Sequence, residues 1–137
     1  MSFRRMLNGA VLFEVPRIYF KERVHLGKHV RINDGVFIHA AGGVSIGEGC
    51  VLSHGVSLIS TGLDMTDWKN RDVTRVSHVD KPIVIGNNVW LGANVVVCAG
   101  VTIAPNCIVG AGAVVTRDLK EENCLYGGIP ARKIRDL

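Results

Sequence analysis

The stretch Lys81-Pro82-Ile83-Val84-Ile85-Gly86-Asn87-Asn88-Val89-Trp90-Leu91-Gly92-Ala93-Asn94-Val95-Val96-Val97 carries branched aliphatic residues at Ile85, Leu91 and Val97, one every six positions. Followed in both directions, the same spacing picks out Leu26, Ile32 and Ile38, then Ile46, Leu52 and Leu58, and later Ile103, Val109 and Val115. Four places after each except Leu58 lies a second column: Val30, Val36, Gly42, Cys50, Val56, Val89, Val95, Val101, Cys107, Ala113 and Leu119. Between the columns stand Gly47, Gly92, Gly110, Asn87, Asn88 and Asn94, residues that tolerate turns and left-handed backbone. A period of six cannot keep one face of a helix of about 3.6 residues per turn, and a sandwich would show alternation broken roughly every 8–12 residues. One such unit is too short to bury its own apolar face. Three close a triangular coil, and stacked coils align the aliphatics in inward columns. Each inward Leu, Ile or Val contributes roughly 1.5–3 kcal/mol once buried. The predicted fold is all-β, a parallel β-helix.

Two breaks interrupt the register. A two-residue slip at Gly42-Gly43-Val44-Ser45 predicts a small bulge. The longer break runs from about Thr61 to Lys81 and opens Thr61-Gly62-Leu63-Asp64-Met65-Thr66-Asp67-Trp68-Lys69-Asn70-Arg71. It is too polar for the repeat and is expected to protrude, as long functional loops do. The expected organisation is a single domain over 1–137: an N-terminal cap over 1–25, the β-helix over 26–119 with its loop at 61–81, and a C-terminal cap over 120–137. The caps are expected because an open solenoid must cover its ends.

Composition agrees with a core of small aliphatics: 47% of the 137 residues are hydrophobic, only 6% are aromatic, and 16 are glycine. No apolar run approaches the roughly 18 residues a membrane helix needs, so no membrane insertion is expected. Met1-Ser2-Phe3-Arg4-Arg5 lacks the apolar run of a signal peptide, and a cytoplasmic location is expected. The four cysteines show no CxxC pair and no zinc-like spacing with histidine. Cys50 and Cys107 fall at inward positions, where a free thiol acts as a small hydrophobe. A net charge of +4 permits an anionic partner. No basic run or helix-turn-helix pattern points to nucleic acid, whereas a phosphate-rich cofactor is compatible. His25 and His29 resemble a metal pair only loosely, and no metal site is expected.

The quoted stretch from Lys81 to Asn94 combines with Gly110-Ala111-Gly112-Ala113-Val114-Val115-Thr116-Arg117-Asp118 and with Gly128-Ile129-Pro130-Ala131-Arg132. Together they resemble the maltose, galactoside and capsular-polysaccharide O-acetyltransferases of the hexapeptide-repeat superfamily, over roughly Leu26 to Ile134. The resemblance implies a left-handed β-helix and a homotrimer with active sites between neighbouring subunits. It also implies acetyl-CoA as co-substrate, with no metal. By the same resemblance Ala93 and Ala111 line the pantetheine arm, Thr116 and Arg117 lie near the adenosine end, and Arg132 and Arg135 meet the cofactor phosphates. The chemistry agrees, because small side chains let backbone approach a narrow ligand and guanidinium groups make forked bonds to phosphate.

Acetyl transfer to a hydroxyl needs a base that works near neutral pH, and histidine suits it. In the sugar acetyltransferases this base follows the coil before the large loop, in a Thr-x-Thr-His-Pro-like segment. The corresponding segment here is Leu58-Ile59-Ser60-Thr61-Gly62-Leu63-Asp64, and Leu63 stands where the histidine would. Two replacements compete: His78, where the chain returns from the loop, and His54, at a turn of the coil. A protein that has lost catalysis is the third reading. Asp64 or Asp80 could orient a histidine, as carboxylates do in triads. Trp90, at the sixth place of its unit, should point outward and could stack on sugar or cofactor. Trp68 in the loop is a lid anchor or a sugar platform. Asp64, Trp68 and Trp90 are therefore the expected acceptor-binding residues. The expected activity is acetyl-CoA-dependent O-acetylation of a sugar hydroxyl, on a surface-polysaccharide unit or its precursor. N-acetylation of an amino sugar and a non-catalytic trimeric scaffold are the alternatives.

Overall fold

The computed structural model describes residues 16–137, together with the backbone of Arg5–Leu7 and Ala10–Leu12. Three parallel sheets wrap one core. The first face stacks Ala10–Leu12, Arg31–Ile32, Val51–Leu52, Trp90–Leu91, Ile108–Val109 and Cys124–Gly127. Arg17–Tyr19, Phe37–His39, Ser57–Ile59, Val96–Val97 and Val114–Val115 form the second. The third holds Val24–Leu26, Val44–Ile46, Ile83–Ile85 and Thr102–Ile103, and Leu119 adds a bridge to Ile103. Helix among the described residues is limited to two short 3-10 turns, Lys21–Arg23 and Trp68–Asn70.

The register explains the columns. Leu91 pairs with Leu52 before it and Val109 after it, so identical positions of successive coils lie one above another. Ile32, Ile38, Leu52, Leu58, Leu91 and Ile103 are all buried, as are Cys50 and Cys107. Gly42 is the exception and a correction to the second column. The slip lets Ala40 and Val44 take the inward places, both fully buried. A side chain on Gly42 would meet the Ser60 carbonyl at 2.5 Å and the Lys81 nitrogen at 2.6 Å. The Gly42 amide instead donates to Ser60 Oγ at 2.9 Å, and that buried hydroxyl donates to the His39 carbonyl at 2.7 Å.

The ladders also reach into the segment expected as a cap. Arg17–Tyr19 runs parallel to Phe37–His39, and Val24–Leu26 to Val44–Ile46, with Ile18, Val24 and Leu26 packed on the core. These rungs form a first coil with the spacing of the next: Ile18 and Leu26 lie eight residues apart, as Ile38 and Ile46 do, so the two-residue slip occurs in both. The rest of the expected cap, at residues 1–4, 8–9 and 13–15, lies outside the described residues. At the other end Cys124–Gly127 adds a rung to the first face, and Arg132–Asp136 folds back on it antiparallel. That hairpin covers the open edge.

The coil has three stacked corners. The corner from first to second face contains Asn33–Gly35, Ser53–Gly55, Gly92–Asn94 and Gly110–Gly112. Ala41–Gly43, Ala99–Gly100 and Thr116–Asp118 lie at the corner from second to third, and the long insertion leaves from this corner. The insertion is an arm: Thr61–Leu63 pairs antiparallel with His78–Asp80, and residues 64–77 form its tip.

Candidate active site

Along the first-to-second corner runs a groove of about 600 Å³, bordered by Asn33, Ser53, His54, Trp90, Ala93 and Ala111. Ala93 and Ala111 occupy the same place in successive coils, where the Gly112 amide donates to the Ala93 carbonyl at 2.8 Å. Gly92 has to be glycine, because a Cβ there would sit 2.7 Å from the Ala111 nitrogen. The amides of Ala93 and Ala111 donate to no protein acceptor among the described residues. Two free N–H groups thus follow one another along the groove, each carried by a residue whose own side chain is only a methyl group. Such a channel accepts a narrow chain carrying carbonyl groups.

Trp90 points outward as its position in the hexad predicts and is about half exposed. Its indole Nε1 donates to Ser53 Oγ at 2.9 Å, which holds the ring as one wall of the groove. His54 is exposed in the same groove, its ring against the turn at Gly35. Asn33 and Ser53 had not been singled out in the sequence. The signal that could have found them is the coil spacing, which puts both at the corner that carries Ala93 and Ala111.

Thr116 and Arg117 lie at the other corner, exposed, on the side from which the arm leaves. Arg132 and Arg135 sit on the terminal hairpin. Their guanidinium groups bond only to backbone, Arg132 to the Ala131 carbonyl at 3.2 Å and Arg135 to the Asp136 carbonyl at 3.1 Å. Lys133 between them is neutralised by Asp136 at 2.9 Å and Glu121 at 3.1 Å. Its bonds to Asp136 and then Glu121 push its ammonium above the usual lysine range. The two arginines make no ion pair among the described residues.

In the arm, Leu63 and His78 are directly opposite each other. Side chains of such a pair stand on one face of the ribbon with Cβ atoms roughly 4.5–5.5 Å apart. The arm root is tied by Thr61 Oγ1 donating to Asp80 Oδ1 at 2.6 Å. Asp64 Oδ1 accepts the Thr66 amide at 2.9 Å, and this bond holds its carboxyl below the usual range. Within the chain neither carboxylate accepts a histidine N–H among the described residues. Both are occupied in shaping the arm. Asp64 and Trp68 do border a hollow at its tip.

Within one chain, then, the structure gathers His54, Trp90, Ala93 and Ala111 in a groove. It sets His78, Asp64, Trp68, Thr116 and Arg117 at a different corner or on the arm that leaves it. Stacked triangular coils, alanine-lined corners and one protruding arm define a class, the hexapeptide-repeat β-helix transferases. Two family models match it: bacterial transferase hexapeptide (six repeats) over residues 82–117, and hexapeptide repeat of succinyl-transferase over residues 24–60. A hexapeptide-repeat-containing acetyltransferase from Vibrio cholerae superposes with a TM-score of 0.83 at 30% identity, over 92% of this chain and 69% of that one. Its complex with acetyl-CoA gives 0.81 at 31% identity, over 89% and 64%. The galactoside O-acetyltransferase of Escherichia coli K12 is 35% identical over 89% of this chain and 59% of its own length. The chain belongs to the hexapeptide-repeat acyltransferase superfamily. It spans well under two thirds of the galactoside enzyme.

Proposed function

We propose that this protein transfers acetyl from acetyl-CoA to a sugar hydroxyl, on a surface-polysaccharide unit or precursor, as a cytoplasmic homotrimer. The observation that carries the reading is the pairing of His78 with Leu63 across the arm. The position at which the resemblance implies a histidine is empty of one, and His78 returns an imidazole to the same face of the same arm. The acceptor hydroxyl gives its proton to His78 as its oxygen attacks the thioester carbon. The oxyanion is held by a corner amide, that of Ala93, which has no acceptor among the described residues to give up. Collapse expels the CoA thiolate, and the imidazolium returns the proton to it. Because arm and groove occupy different corners of one chain, the arm of one subunit serves the groove of its neighbour. Arg117, Arg132 and Arg135 neutralise the phosphates, and Trp90 forms a wall of the groove against acceptor or cofactor. That the known relatives include an acetyl-CoA complex and a galactoside O-acetyltransferase supports the same reading.

Calorimetric titration with CoA tests it first. Binding is expected, weakening as salt rises because ion pairs to phosphate are screened. Changing Arg117, Arg132 and Arg135 together to Ala should weaken it further. Thiol release from acetyl-CoA in the presence of sugars then tests transfer. Absence of CoA binding would overturn the proposal in favour of a non-catalytic scaffold.

A further inference from the structure

The tip of the arm has a hollow of its own, about 300 Å³ in volume, next to the face that carries His78. Leu63 and Ser77 line it, the first opposite His78 and the second its chain neighbour. Trp68, Arg71 and Arg75 line it as well. We infer that the acceptor is an anionic sugar, whose carboxylate or phosphate is held by Arg71 and Arg75. This rests on the proposed function, since it names the kind of sugar His78 would act upon.

The guanidinium groups of the hollow, which form no ion pair among the described residues, are the ground for it. Two carboxylates, Asp64 and Asp72, also border the space, but each is already served by the turn it closes. Asp64 Oδ1 takes the Thr66 amide, and Asp72 Oδ1 takes both the Thr74 amide at 3.0 Å and the Thr74 hydroxyl at 2.6 Å. Neither forms an ion pair with a guanidinium among the described residues. The arginines have no such partner. Arg71 lies over the Trp68 ring at 4.5 Å and donates to the Arg75 carbonyl at 3.3 Å. The Arg75 side chain bonds to nothing among the described residues. Stacking on Trp68 orients the Arg71 fork without using up its charge. The turn bonds hold both carboxyls below their usual range and leave them charged, yet neither pairs with an arginine among the described residues. The two guanidinium forks therefore stay open to an oxyanion through charge-assisted bonds. An apolar recess of about 570 Å³, formed by Gly62, Leu63, Met65 and Trp68, adjoins it and suits the body of the sugar ring. Leu63 lines both spaces and pairs with His78, so a ring resting there with its anionic group toward Arg71 and Arg75 lies beside the strand pair that carries His78.

Trp68 reports occupancy directly once the second of the two tryptophans is removed by Trp90→Phe. In that full-length protein, glucuronate and glucose 6-phosphate should change Trp68 emission saturably, while glucose at the same concentration should not. A response to only one of the two anions names carboxylate or phosphate as the group recognised. Arg71→Gln with Arg75→Gln should weaken the response at least about tenfold, the loss expected for charged hydrogen bonds, and Arg75→Lys should return part of it. Equal titration by glucose, no response to either anion, or an unchanged response in the double variant would overturn the inference. Failure of CoA binding or of thiol release is read separately, on the groove, and bears on the proposed function instead.

Discussion

Leu63 and His78 face each other across the arm, so one imidazole on that face can come from either strand. Replacing His78 by Ala should lower kcat by roughly 10²–10⁴-fold, the worth of a general base, while CoA affinity stays within a few-fold. His54→Ala should cost less. Restoring a histidine from the other strand, Leu63→His in the His78→Ala protein, should recover part of the lost turnover. Steady-state kinetics on the three variants decide the matter. Near-full turnover in His78→Ala beside abolition in His54→Ala would give the role to His54. Both histidines were visible as candidates in the sequence, and His78 was expected to reach the place of Leu63 from the opposite side, but the direct pairing of the two was not legible. It depends on the register of a hairpin whose strands are separated by the arm's tip.

Each coil approaches the next so closely at its corners that some positions admit no side chain. Gly86 is one: a Cβ there would lie 2.7 Å from the Pro105 nitrogen and 3.0 Å from Pro105 Cα in the following coil. Gly86→Ala should destabilise the fold by about 1–3 kcal/mol, the usual cost of forcing atoms into packed space. Gly62→Ala in the arm is the control. Nothing lies within 4 Å of its added carbon, and its effect should stay within about 0.5 kcal/mol. Chemical denaturation of both variants tests the contrast, and equal losses would refute the close-approach account. The glycines of the corners were legible as turn residues. Which of them support close stacking and which supply left-handed backbone was not. Asn88 and Asn94 adopt positive φ, at 55° and 60°, whereas Asn87 uses its side chain to accept the Glu48 amide of the preceding coil.

At the scale of the whole molecule, groove and arm are two halves of a site held at different corners. If neighbouring subunits join them, the protein is a homotrimer, and two defective chains can complement each other. Ala93→Trp should block the groove, and His78→Ala should remove the base. Each alone should be inactive; refolded together, they should regain part of the activity, since mixed trimers contain an open groove beside an intact arm. Light scattering checks the assembly at the same time. A monomer would refute the trimer, and a trimer without complementation would place the whole site in one chain.

The six-residue period determined the solenoid, its two columns and the arm, because the hydrophobic choice at each inward position is made within its own short strand. The pairwise relations were decided only in three dimensions. Gly42 lost its inward place to Ala40 and Val44 because its corner packs against Ser60 and Lys81 at the root of the arm. Arg17–Tyr19 and Val24–Leu26 joined the solenoid because each residue pairs with the one 20 positions on, a coil length set by the two-residue slip and not by the six-residue period alone. The expected cofactor residues divided between corners because the strand Val114–Val115 of the second face runs between Ala111 and Thr116 and carries the chain one corner further round the coil. A period records what each strand buries, whereas neighbours across a corner or a hairpin are set by where the intervening chain returns.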